Sequence, residues 1–144
     1  MKKKYFFVIS FLILAMFLVG CSGGGIVTPA TDEAKIKTTV YEYCLALSNL
    51  NFSKAKSYCV YGSDIYYAIS QTEALLNNAY LYCNIITFNY LVNIQNVSIN
   101  GDYATVSGYT TKLLTYCGYY ETLNEDSNYK LQKISNGWKL YLKY

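Results

Sequence analysis

The chain has 144 residues with twelve basic and nine acidic side chains, and Lys2, Lys3 and Lys4 account for its whole formal charge of +3. The remaining charges balance, so there is no basic footprint for nucleic acid. It contains no His and no Arg, which removes the commonest general base and metal ligand and the bidentate fork used for phosphate and carboxylate.

In chain order, Met1-Lys2-Lys3-Lys4 precedes an uncharged run from Tyr5 to Val19. A cationic head followed by a short apolar stretch is the pattern of a secretory signal peptide. At about 15 residues the run falls short of the roughly 20 that span a bilayer as a helix. Leu18-Val19-Gly20-Cys21 then resembles the lipobox of bacterial lipoprotein precursors. The resemblance implies cleavage before Cys21, a diacylglyceryl group on its thiol and an acylated new amino terminus. Residues 1–20 are therefore expected to be a leader, 21–34 the lipidated Cys and a flexible tether, and 35–144 a single domain. Two or more acyl chains anchor stably where one is marginal. The expected location is outside the cytoplasm, on the outer face of the cell membrane or in the outer membrane. The Gly-rich tether reaches about 20 Å by random-coil scaling.

A first helix is expected from Thr31 or Asp32, with Thr31 as cap and two acidic residues at the positive end of the helix dipole. Ile36, Val40, Tyr43, Cys44, Leu47 and Leu50 follow one helical face. Asn49-Leu50-Asn51 reads as a break, with Asn51 or Ser53 capping a short second helix that runs through Cys59. Gly62 ends that segment. Ser63-Asp64 opens a third helix with a stripe of Ile65, Ala68, Ile69, Thr72, Leu75, Leu76 and Ala79. After Cys83, Ile86, Phe88, Tyr90, Val92 and Ile94 alternate with polar residues, which predicts a long strand. Its phase shifts near Gln95-Asn96, as a bulge requires. Asn100-Gly101 predicts a hairpin turn. A second strand is expected from Tyr103 to Leu123 with a phase change near Gly108, then a polar loop over Asn124–Asn128. A third strand over Tyr129–Ile134, a turn at Asn136-Gly137 and a last strand from Trp138 complete the order. The fold class is α+β: three N-terminal helices packed on a curved four-stranded antiparallel sheet.

Three stretches strengthen that architecture. They are Val40–Leu47 with Asn51-Phe52-Ser53-Lys54-Ala55, then Asn100–Val106, then Leu131–Leu140 with its Gly137-Trp138-Lys139. In order and spacing they resemble the cone-shaped α+β superfamily named after nuclear transport factor 2. That group includes isomerases, dehydratases, polyketide cyclases and bacterial lipoproteins of unknown function. The resemblance implies a pocket inside the cone, where the enzymes use Asp with His or Tyr. Here there is no His. Asp64 and Asp102 read as a helix start and a turn, and Glu42 and Glu73 fall off the apolar stripes, so no catalytic residue is expected.

Apart from Cys21, four Cys remain, and an even number in an exported chain reads as two disulfides among three open pairings. If Asn100-Gly101 closes a two-residue hairpin, residue 84 faces residue 117, so a bulge can bring Cys83 opposite Cys117. If the first two helices fold back near Leu50-Asn51, Cys44 lies level with Cys59. The expected pairs are Cys44–Cys59 and Cys83–Cys117. Their spacing matches no zinc motif, and neither metal nor other cofactor is expected. Tyr41, Tyr67, Tyr90, Tyr116 and Tyr120 are candidates for a pocket that suits a small amphipathic ligand; they serve equally as core and strand fillers. The functional expectation is a lipid-anchored envelope binding module without catalytic activity, for a small apolar ligand or an envelope protein. The alternatives are a structural or assembly domain, a homodimer included, and a cone-pocket isomerase, dehydratase or hydrolase.

Overall fold

A computed structural model describes residues 30–82, 86–135 and 137–143. The leader, Cys21 and Cys83 lie outside the described residues.

Helix α1 spans Asp32–Ser48, and Thr31 caps it by accepting a hydrogen bond from the Ala34 amide. Ile36, Val40, Tyr43, Cys44 and Leu47 form its buried face, at the i, i+4, i+7, i+8 spacing that puts them on one side. Leu50, at φ 53°, turns the chain into α2, Phe52–Ser57, which Asn51 caps through the Lys54 amide. Helix α2 stops short of Cys59. That residue instead bridges to Leu140, and the Val60 amide donates to the Leu140 carbonyl at 2.7 Å. Helix α3 spans Asp64–Ala79 and is capped by Ser63. Of its expected stripe only Ile65 and Ile69 are fully buried, and Leu75 is 69% exposed.

The sheet is an antiparallel meander in the order β1 (Ile86–Asn100), β2 (Tyr103–Tyr116), β3 (Tyr119–Ile134), β4 (Gly137–Lys143). The expected bulge in β1 lies between Ile94 and Asn96. Ile94 pairs with Gly108 there, and a Cβ on Gly108 would stand 2.0 Å from the Asn93 carbonyl oxygen. Gly108 is thus a close-approach glycine at the point where the strand phase changes.

The middle of the sheet corrects the sequence expectation. There is no single strand from Tyr103 to Leu123 and no polar loop over Asn124–Asn128. The chain reverses at Cys117-Gly118, where φ is 48° and 82°, the signs a two-residue hairpin turn demands at both positions. Asn124–Asn128 lies inside β3, where Asn124 pairs with Thr111 and its Oδ1 accepts from the Thr111 hydroxyl at 2.8 Å. The other two turns each shift by one residue. Asn100 pairs with Tyr103 across Gly101-Asp102, and Ile134 pairs with Gly137.

The core lies between α1 and the inner sheet face. Ile36, Val40, Val106, Tyr129, Leu131 and Leu140 are essentially inaccessible to water. Each aliphatic side chain buried this way contributes about 1.5–3 kcal/mol. Among the described residues, no helix is long and apolar enough to cross a membrane.

Candidate functional site

Where α3 stands away from the inner sheet face, a cleft of about 440 Å³ opens. One helical face of α1 supplies Tyr43 and Leu47, and α3 supplies Asp64, Ile65, Ala68, Ile69 and Thr72. Strand alternation aims Phe88, Tyr90 and Lys112 inward, and these complete the lining. Phe88 and Tyr90 meet edge to face at 4.8 Å. Tyr90 pairs with Lys112 across the two strands, and the Lys112 ammonium sits 5.5 Å over the Tyr90 ring. Lys112 also holds Glu125 of β3 at 2.6 Å, with both side chains partly buried.

Beneath the cleft is a layer of neutral hydroxyls. Tyr43 packs edge to face on Tyr129 at 6.3 Å. The Tyr129 hydroxyl lies 3.0 Å from that of Thr110 and 3.7 Å from Cys44 Sγ. Burial is the main force that raises the pKa of Tyr43, Tyr90 and Tyr129 above the ordinary tyrosine value; for Tyr90 the charge of Glu125 adds to it. These phenols stay protonated and can exchange hydrogen bonds with a ligand or with each other. Among the described residues no carboxylate or ammonium is fully buried; the buried polar side chains are Thr110 and Ser127.

The acids sit where ion pairs or solvent hold them. Glu42 accepts from Lys54 at 3.1 Å and from the Tyr58 hydroxyl at 3.3 Å, and the Lys54 contact holds its carboxyl below the usual range. Glu73 pairs with Lys56 at 2.6 Å. Asp102 lies in the β1–β2 turn, and Asp64 is exposed on the cleft rim in the first turn of α3. Among the described residues, no group of three or more His, Cys, Asp or Glu is placed to hold a metal ion.

Of the five candidate tyrosines, only Tyr90 lines the cleft. Tyr41, Tyr67, Tyr116 and Tyr120 are 47%, 58%, 39% and 84% exposed. Tyr41 and Tyr67 fall off the buried stripes of their helices. Tyr116 and Tyr120 flank the unforeseen Cys117-Gly118 reversal at the end of the sheet. The expected Cys44–Cys59 disulfide is also corrected, because both are buried thiols that no disulfide joins. Cys44 Sγ faces the Tyr129 hydroxyl, while Cys59 Sγ donates to the Ala55 carbonyl at 3.5 Å. Cys117 does not titrate, being disulfide-bonded. Its sulfur lies 3.9 Å from the carbonyl oxygen of Tyr82, the residue before Cys83.

Tyr43, Thr110, Lys112, Glu125 and Tyr129 were not singled out by sequence reasoning as site residues. One signal was available: Lys112 is the only charged residue between Tyr103 and Tyr120, and alternation puts it on the same strand face as Thr110.

Comparison with known proteins places the fold. No family model matches, and no curated protein matches. Solved structures do. The beta subunit of a benzoate 1,2-dioxygenase from Burkholderia mallei superposes with a TM-score of 0.64 at 13% identity, covering 81% of this chain and 91% of that one. A nuclear-transport-factor-2-like protein with a cystatin-like fold from Novosphingobium aromaticivorans gives 0.58 at 14%, covering 78% and 79%. Aln2 from a Streptomyces species gives 0.62 at 11%, covering 80% and 90%. At these identities the likeness establishes the fold alone: the described chain adopts the cone-shaped α+β fold of nuclear-transport-factor-2-like proteins.

Proposed function

We propose that this protein is a lipid-anchored module of the cell envelope whose cleft binds a small, neutral, amphipathic molecule and performs no chemistry on it. The observation that carries the reading is the make-up of the cleft. Leu47, Ile65, Ala68, Ile69 and Phe88 offer apolar surface, while Tyr43, Tyr90 and Thr72 offer hydroxyls. An apolar slot with a few placed polar groups is the usual character of a small-ligand site. Acid–base catalysis needs a titrating group within hydrogen-bond reach of the reacting atom. In this cleft Lys112 is tied to Glu125, Asp64 sits exposed on the rim in the first turn of α3, and the phenols are driven further from titration at neutral pH. The lipid anchor is supported by Leu18-Val19-Gly20-Cys21 and the cationic leader before it.

Ligand-observed NMR with 2-naphthol and a panel of phenols and aliphatic alcohols tests the site. Saturation transfer is expected for the wild type and is lost in Ala68→Phe, which fills the slot from a solvent-exposed position on α3. Binding that is equal in both proteins removes the cleft from consideration. Conversion of any panel compound, abolished by Ala68→Phe, replaces binding with catalysis.

A further inference from the structure

We infer that the end of the sheet farthest from the N-terminus of α1 is a membrane-facing tip that seats tyrosine and leucine side chains in the interfacial layer of a lipid bilayer. Two turns build it. After α3 the chain runs through Leu81 and Tyr82, which are 76% and 87% exposed. Beside them the β2–β3 reversal presents Tyr116, Tyr119 and Tyr120, at 39%, 70% and 84%. The 3.9 Å approach of Cys117 Sγ to the Tyr82 carbonyl oxygen puts both turns at one end of the molecule. The rings of Tyr116 and Tyr119 lie 6.0 Å apart.

The charge pattern decides the kind of partner. Residues 74–101 and 113–120 contain no Asp, Glu, Lys or Arg, and Glu121 is the first charge met on leaving the reversal along β3. Protein-binding patches usually carry charged residues around their rim. A charge-free cluster of Tyr and Leu suits the bilayer boundary. There an aromatic ring lies against acyl chains while its hydroxyl stays among wet headgroups. The tip has no Lys to seek anionic lipid, so a zwitterionic surface suffices and salt has little effect.

The inference rests on the proposed anchor for its geometry. Asp32, at the start of α1, is tied at 2.8 Å to Lys133, which lies toward the opposite end of β3 from Tyr119. The fourteen residue steps from Tyr119 to Lys133 span about 46 Å along the strand. Cys21 precedes Asp32 by eleven residues, whose greatest reach is about 36–40 Å. With acyl chains at Cys21 and the tip in the same bilayer, the domain leans over rather than standing upright on the tip.

The test uses the full chain carrying Tyr120→Trp, reconstituted in phosphatidylcholine vesicles with and without brominated acyl chains. The native Trp138 is buried and gives a constant background. Trp at 120 is expected to lose about half its emission to brominated lipid, as a ring about 5–10 Å into the boundary would, and added salt should not restore it. Tyr61→Trp, at an 85% exposed position in the turn before α3, should keep its emission. No quenching at 120 overturns the inference. So does a concentration-dependent blue shift at 120 without lipid, which assigns the tip to a second copy. Intact mass separates the two proposals: quenching without acylation removes the anchor and keeps the tip, whereas acylation without quenching does the reverse.

Discussion

The hydroxyl of Tyr129 lies 3.0 Å from the hydroxyl of Thr110, and both residues are almost wholly buried. This contact ties β3 to β2 directly under the cleft, where neither group has water as an alternative partner. Tyr129→Phe is expected to cost about 1–3 kcal/mol, because it takes a partner from the Thr110 hydroxyl in a dry place. Thr110→Val should cost less, because the Tyr129 hydroxyl keeps its 3.7 Å contact with Cys44 Sγ. The double variant should cost less than the sum of the two, since no hydroxyl is then stranded by the other's loss. Urea unfolding of the four proteins gives the coupling, and strict additivity would show that the contact carries no energy of its own.

Gly108 makes a sharper prediction, because its constraint is backbone against backbone. A Cβ there meets the Asn93 carbonyl oxygen at 2.0 Å and its carbon at 3.0 Å, beside the β1 bulge. Neither atom can swing aside as a flexible side chain would. Gly108→Ala should cost about 3 kcal/mol or more. Gly118→Ala has open space around it but a φ of +82°, so its cost is conformational, about 1–2 kcal/mol. A thermal melt that ranks Gly118→Ala as the more damaging would contradict the close approach of β1 to Gly108.

The contrast between these glycines also explains what could be read in advance. The helices were legible because their signals are local: Thr31, Asn51 and Ser63 each cap within three residues, and the buried face of α1 repeats within one turn. The β1 bulge was legible because it inverts an alternating pattern. The β2–β3 reversal was not. Thr115-Tyr116-Cys117-Gly118-Tyr119-Tyr120 is rich in strand formers, and a Cys at positive φ is no familiar turn signal. Asn124–Asn128 reads as a loop by composition, and only pairing with Thr111 and its neighbours keeps it extended. The reversal places Tyr116 and Tyr120 at the exposed end of the sheet, away from the cleft. It also brings Glu125 of β3 beside Lys112 of β2, a pairing that no local sequence signal announces.

The cysteines divide into two chemical states, and each state is measurable. Cys44 and Cys59 are buried and not disulfide-bonded, so a thiol reagent should label neither in the folded protein and both after unfolding. Cys117 should stay unlabelled until a reductant is added. Non-reducing peptide mapping is expected to join it to Cys83. A peptide that joins Cys44 to Cys59 would restore the pairing that the structure corrects.

Burial of acids that ionise only at high pH sets the alkaline limit of the fold. The Cys59 thiol is pushed up to about 12 by burial, from an ordinary value of 9.0. Burial shifts Tyr43, Tyr90 and Tyr129 upward as well. For a group whose folded pKa exceeds its unfolded value, stability is complete below the unfolded value and is lost as pH rises toward the folded one. In the unfolded chain the thiol ionises from about pH 9, so the unfolded state gains there while the folded state still holds its proton. The melting midpoint should therefore be insensitive to these groups up to about pH 8 and fall steadily above that. Cys59→Ala should melt lower at neutral pH, because it loses a packed sulfur, yet show a shallower alkaline decline than the parent. Equal slopes in the two proteins would remove Cys59 from the alkaline transition and leave the three buried tyrosines as its source.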